Sequence, residues 1–239
     1  MADNRDTSDN RKALAERKSS DVDAFLRQVA AAPVPARSAV GRLIFALDAT
    51  ASRQPTWDRA CHIQAEMFAT TASLGGLAIQ LCYFRGFQEF HVEPWLTDGR
   101  ELVKRMTGVT CLSGTTQLTR VLRHAIRETT ASRVNALVYV GDCMEESADT
   151  IAGLAGKLGL LGVPAFVFQE GDDPVARPVF QRIAELTKGA YARFDSASAK
   201  TLRELLMAVA VYAAGGRRAL ADYADRSGGE AARLTRLLR

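Results

Sequence analysis

The chain is poor in the features that would place it outside the cytosol or assign it a familiar catalytic chemistry. Its four cysteines, Cys61, Cys82, Cys111 and Cys143, are scattered through 239 residues with no C-x-x-C pair. That spacing argues against a zinc site and for reduced structural thiols. The N-terminal stretch MADNRDTSDNRKALAERKSS carries charges and no apolar core, so it does not read as a secretory signal, and a cytoplasmic location is expected. The longest uncharged run, Met67 to Phe84, is interrupted by Thr70, Thr71, Ser73, Gln80 and the Gly75-Gly76 pair, so no membrane span is expected. There is no G-x-S-x-G elbow, no G-x-G-x-x-G after a strand and no G-x-x-x-x-G-K-[ST] loop, which argues against serine-hydrolase chemistry and common nucleotide sites. The three histidines, His62, His91 and His124, sit inside helix or strand patterns and read as packed or surface residues.

What is present is ordinary globular material. Hydrophobic residues make up 47% and charged residues 24%, enough apolar content for one good-sized domain. The formal net charge of +4 is unevenly placed. Residues 20–216 hold 20 basic and 20 acidic side chains, so the surplus lies in the two ends. Four regions are expected: a disordered tail over 1–19, an N-terminal helix and Pro-containing linker over 20–40, a domain over 41–215 and a basic helical tail over 216–239.

Within 20–40, Ser20 can cap a helix whose Val22, Phe25, Leu26 and Val29 recur at helical spacing, and Pro33 and Pro35 end it. Its apolar face either packs on the domain or is offered to a partner. Arg42 to Leu47 is a short apolar run ending at Asp48, the pattern of a buried strand tipped by a carboxylate. Thr56 to Leu74 reads as a helix, and Leu77 to Phe84 and Glu89 to Trp95 as paired strands around Arg85-Gly86. Beyond Leu118 the chain alternates helix and strand patterns, with strands at 134–140, 163–168 and 190–194. Gly162 reads as a helix end, while close approach and mobility fit Gly153, Gly156 and Gly159 equally. The alternation predicts an α/β fold: a doubly wound, mostly parallel central sheet with helices on both faces, Rossmann-like in plan.

Ligands of such sheets gather at the carboxyl ends of the strands, and three of those ends carry oxygen donors. Asp48, Thr50 and Ser52 follow the first strand at alternate spacing. Thr116 follows a small-residue turn that opens a helix, and Asp142 follows Gly141 after the strand at 134–140. Two carboxylates and three hydroxyls are hard donors that suit Mg²⁺, with Mn²⁺ or Ca²⁺ as substitutes.

At these positions the chain resembles the von Willebrand factor type A (VWA) family and its metal-ion-dependent adhesion site (MIDAS). That site reads D-x-S-x-S, then a threonine after a glycine-rich turn, then G-D after the next central strand. Asp48, Thr50 and Ser52 match the first element, with Thr50 where serine is usual. Thr116 matches the second, preferred over Thr115 because Leu118 and Leu122 then fall at the family's apolar offsets, and Asp142 matches the third. The resemblance covers about Gly41 to Gly215. It implies metal held by Asp48, Thr50, Ser52, Thr116 and Asp142, and a non-catalytic, metal-dependent protein–protein interaction module. Such an adaptor or scaffold grips a Glu or Asp of a partner protein through the divalent cation.

Three other uses compete. Asp48 and Asp142 can simply cap helices. A haloacid-dehalogenase-like, Mg²⁺-dependent phosphohydrolase would use Asp48 as nucleophile, but the acid it needs two residues later is Thr50 here. The C-terminal tail, with Leu234, Leu237 and Leu238 against Arg233, Arg236 and Arg239, can meet nucleic acid or an anionic surface or remain a solvated amphipathic end. Trp57, Phe87 and Trp95 are candidates for a binding rim or for the core.

Overall fold

The structure, a computed structural model, describes residues 21–33, 40–53, 76–194 and 199–227. Their order is α1 (21–31), β1 (Gly41–Asp48), a 3-10 turn (Ala51–Arg53), β2 (Leu77–Arg85), β3 (Glu89–Val92), α2 (Gly99–Thr107), α3 (Leu118–Ala131), β4 (Ala136–Gly141), α4 (Ala148–Leu160), β5 (Ala165–Glu170), α5 (Ala176–Thr187), β6 (Ala190–Phe194) and α6 (Ala199–Ser227). The expected tail over 1–19, the helix from Thr56 to Leu74 and the sequence after Ser227 lie outside the described residues.

One sheet runs β3-β2-β1-β4-β5-β6, parallel throughout except for the antiparallel edge pair β2–β3. Strand side chains alternate between faces, and both faces are covered, which is why the central strands read as continuous apolar runs. On one face Leu43, Phe45, Leu47, Val138, Phe166 and Phe168 meet α1, α2 and α6. On the other, Ile44, Ala46, Leu137, Tyr139 and Val167 meet α3, α4 and α5. This is the expected α/β sheet flanked by helices.

The N-terminal helix belongs to this core. Val22, Phe25, Leu26 and Val29 are buried, the Phe25 ring lies 5.2 Å from that of Phe168, and the Tyr212 hydroxyl donates to the Pro33 carbonyl. The stripe open in sequence to either a partner or the domain is therefore spent on the domain. At the other end α6 bends at Gly216, whose φ of 70° favours glycine, and then buries Leu220. The packed unit thus extends beyond the expected boundary at 215.

Helix α2 was not expected; Asp98 caps it through the Arg100 N–H, and Leu102 and Met106 anchor it. Of the three undecided glycines, Gly159 is needed for close approach, since a Cβ there would lie 2.1 Å from the Leu186 carbonyl oxygen. No helix among the described residues is long and apolar enough to cross a membrane.

From β1 the chain proceeds outward to β2, and from β4 outward the other way to β5 and β6. The carboxyl ends of β1 and β4 therefore flank the switch point where such sheets open a crevice. Asp48 closes β1, and Asp142 directly follows β4.

Candidate metal centre

The first side chain is fixed by its own strand. Asp48 is fully buried; its Oδ1 accepts the Thr50 N–H at 2.8 Å, while its Oδ2 has no hydrogen-bond partner among the described residues. The loop after it is pinned on both sides, because the Ala49 N–H donates to the Phe84 carbonyl at 2.9 Å and the Leu112 N–H to the Ala49 carbonyl at 3.1 Å. Alternate spacing then brings the Thr50 and Ser52 hydroxyls to 3.2 Å.

The second element arrives on the turn before α3. Gly114 permits it: a Cβ there would fall 1.9 Å from the Gly86 carbonyl oxygen. Thr116 is buried, whereas Thr115 is exposed and donates its N–H to the Gly86 carbonyl. The Thr116 hydroxyl accepts the Glu145 N–H at 3.1 Å and its own N–H donates to Glu145 Oε2 at 2.9 Å. This couples Thr116 to the loop that carries Asp142.

The third element is that loop. One carboxylate oxygen each from Asp48 and Asp142, and the sulfur of Cys143, lie within 4.8 Å of one another. Asp142 Oδ1 is buried without a hydrogen-bond partner among the described residues. The structure thus gathers Asp48 with Asp142, pairs Thr50 with Ser52, and ties Thr116 to the Asp142 loop.

Electrostatics mark the site as short of positive charge. Burial pushes Asp48 up to about 6, against the Thr50 hydrogen bonds that lower it, and the Asp142 charge raises it further. Burial likewise pushes the Cys143 thiol up to about 12, helped by Asp142 and Asp48. The Tyr139 hydroxyl beneath the site is raised well above the ordinary tyrosine value by burial and the same two carboxylates. Among the described residues Arg53 answers them: buried at 2% exposure, it is paired with Glu170 at the end of β5. Burial lowers its pKa, and the Asp142 and Asp48 charges oppose that shift. Among the described residues the carboxylates of Asp48, Asp142, Glu145, Glu146 and Glu170 outnumber this guanidinium. Unpartnered buried oxygens together with that excess fit a metal cation at Asp48 and Asp142.

Several residues here carry no site role in the sequence, where Cys143 counts among the reduced structural thiols. Arg53 directly follows the D-x-T-x-S run, and Cys143, Glu145 and Glu146 directly follow Asp142, so adjacency was the available signal. Glu146 accepts the Leu118 N–H on Oε1 and the Thr119 N–H at 3.0 Å on Oε2, replacing the cap that Gln117 does not make. Of the candidate aromatics, Phe87 is exposed near this edge. Trp95 instead lies beneath the Arg42 guanidinium, 3.9 Å from the ring centroid, and donates to Glu128. Trp57 lies outside the described residues. His124 is buried against Gln80, and His91 stacks on Tyr83.

No family model matches the chain, and no curated protein matches it in sequence. Solved structures do match. A von Willebrand factor type A protein from Catenulispora acidiphila is 19% identical, with a TM-score of 0.54, over 74% of this chain and 44% of that one. The SpRpn10 VWA domain is 10% identical, with a TM-score of 0.56, over 70% and 94% respectively. The pilus adhesin SpaC from Lactobacillus rhamnosus GG, in its open conformation, is 12% identical, with a TM-score of 0.57, over 76% and 31%. The fold is VWA-like.

Proposed function

We propose that this VWA-like chain is a non-catalytic, cytoplasmic interaction module that grips an acidic side chain of a partner protein through a divalent cation. The observation that carries the reading is the pair of buried, unpartnered oxygens on Asp48 and Asp142, two carboxylates whose clustered ligand atoms lie within 4.8 Å where negative charge exceeds positive. Asp48, Thr50, Ser52, Thr116 and Asp142 would hold the ion or its waters, with Mg²⁺ the first candidate and Mn²⁺ or Ca²⁺ as substitutes. When bound, the ion supplies a concentrated positive charge with a position open to an outside carboxylate. The protein's own part is to keep the carboxylates dry and fixed: Thr50 orients Asp48, and Glu145 holds Thr116. The cytoplasmic assignment is supported by Cys82 and Cys143, which form no disulfide among the described residues.

A phosphohydrolase using Asp48 as nucleophile is less well supported. The position that should carry its acid is Thr50, whose hydroxyl faces Ser52.

The test is a thermal melt of wild type and Asp48→Ala with millimolar Mg²⁺ or Mn²⁺ and with chelator. An ion at about 100 times its dissociation constant stabilises by about 2.7 kcal/mol. For a chain of this size that is a rise of roughly 5–10 °C. Wild type should show the rise and Asp48→Ala should not. No metal-dependent shift in wild type overturns the reading, and Asp48-dependent cleavage of an artificial phosphoester would favour the enzyme.

A further inference from the structure

We propose that the Cys143 sulfur is a direct ligand of this centre and that it shifts the metal preference toward a thiophilic divalent ion, zinc above all. The inference rests on the metal reading above and departs from it on the ion, putting zinc ahead of Mg²⁺.

Geometry comes first. The carboxylates of Asp48 and Asp142 and the Cys143 sulfur come from two different strand ends, yet their ligand atoms lie within 4.8 Å of one another. Tetrahedral ligands at about 2.0–2.3 Å from one zinc ion stand roughly 3.3–3.8 Å apart, so the three atoms need to close by no more than about 1.5 Å. The independent observation is Asp48 itself: fully buried, with Oδ2 facing no hydrogen-bond donor among the described residues. A cysteine beside apolar neighbours has no such company, as Cys82 illustrates, buried in the helix-covered core between strands. Cys143 is half-buried at the site.

The donor chemistry then decides the ion. Mg²⁺ takes oxygen ligands in a strict octahedron and gains little from sulfur, whereas zinc combines thiolate and carboxylate readily. On binding, the thiol gives its proton to solvent and the thiolate occupies one position. Asp48, Asp142 and Cys143 make three protein ligands, leaving a fourth position open, the arrangement in which zinc accepts an outside ligand. The Thr50, Ser52 and Thr116 hydroxyls then act on waters or on the incoming group.

The experiment uses the full chain, reduced and stripped of metal, as wild type, Cys143→Ser and Asp48→Asn. Calorimetric titration with Mg²⁺ and Zn²⁺ is paired with Co²⁺ absorption, where a near-ultraviolet band reports sulfur bonded to the metal. Wild type should bind Zn²⁺ more tightly than Mg²⁺ and show the band. Cys143→Ser should lose Zn²⁺ affinity by on the order of 10-fold or more, at least the loss seen for outer-shell partners, while its Mg²⁺ affinity stays within about two-fold. The band should vanish in Cys143→Ser and fall in Asp48→Asn. If Zn²⁺ affinity and the band survive Cys143→Ser, the sulfur belongs to another site and the proposal falls. If Mg²⁺ then still stabilises wild type and not Asp48→Ala, the oxygen-only centre stands without it; if no ion binds, both readings fall together.

Discussion

Thr116 and Glu145 are joined by two hydrogen bonds that run in opposite directions: the Thr116 N–H donates to Glu145 Oε2 at 2.9 Å, and the Glu145 N–H donates to Thr116 Oγ1 at 3.1 Å. The turn before α3 and the loop after β4 are thereby held as one piece, with Asp142 and Cys143 at its inner edge.

Replacing Thr116 by valine should therefore act twice. It leaves the Glu145 N–H without its acceptor, at a cost of about 1–3 kcal/mol, and it removes a hydroxyl from the candidate centre. Thr116→Ser keeps both. Chemical denaturation should place Thr116→Val below wild type and Thr116→Ser near it, and only the valine variant should show weaker stabilisation by metal.

The buried Asp48 carboxyl predicts an unusual pH dependence for the metal-free protein. Its folded pKa of about 6 lies above the ordinary 3.8, so between these values the native state holds a proton that the unfolded chain has released. This group's contribution is complete below the unfolded value and is lost as pH rises through about 6. A rise of that size corresponds to about 3 kcal/mol. In chelator, Asp48→Asn should gain on wild type as pH is raised from 4 to 7. In excess metal the gain should shrink, because the ion competes with the proton and binds better as pH rises. Melts of both proteins across that range decide it; parallel curves would contradict the shift.

Tyr139 buries a hydroxyl without a hydrogen-bond partner among the described residues, between Phe84 and Phe180. Removing that oxygen removes a desolvation cost and leaves the ring contacts intact. Tyr139→Phe should be neutral or more stable by up to about 1–2 kcal/mol, read from the denaturation midpoint.

Arg53→Met tests the charge count. Loss of a buried guanidinium takes the Arg53 ion pair from Glu170 and deepens the excess of negative charge around Asp48 and Asp142. The metal-free variant should be less stable by about 3–5 kcal/mol. Its metal-induced rise in melting temperature should exceed that of wild type, since the ion then supplies the compensation that Arg53 gave. An equal or smaller rise would mean that Arg53 does not act on the centre.

The strand tips were legible because an apolar run that stops at a carboxylate is a local pattern, seen at Asp48 and again at Gly141-Asp142. The strand Ala190–Phe194 was visible as a short segment in the helix–strand alternation, although Arg193 interrupts its apolar run. Helix α2 was not, since Leu102, Val103 and Met106 in a nine-residue charged segment span barely one turn and make too short a stripe. The D-x-T-x-S run was readable by its spacing, whereas Arg53 one residue later was not: nothing in its neighbourhood announces burial until Glu170 arrives from β5. Cys143 likewise reads as one scattered thiol until β1 and β4 pair and set it beside Asp48. Adjacent residues carry their patterns with them, but charge compensation and ligand grouping are made by strand pairing across the sheet.

The contact of Tyr212 with Pro33 has a consequence for synthesis. These residues are 179 positions apart, and α1 finds its seat among Phe166, Phe168 and α6. At about 5–20 residues per second, the first helix emerges from the ribosome roughly 10–35 s before its last neighbour exists. During that interval Val22, Phe25, Leu26 and Val29 are an unsheltered greasy stripe, which makes the nascent chain a client for whatever chaperone meets it first, and makes slow decoding late in the message a hazard to its beginning.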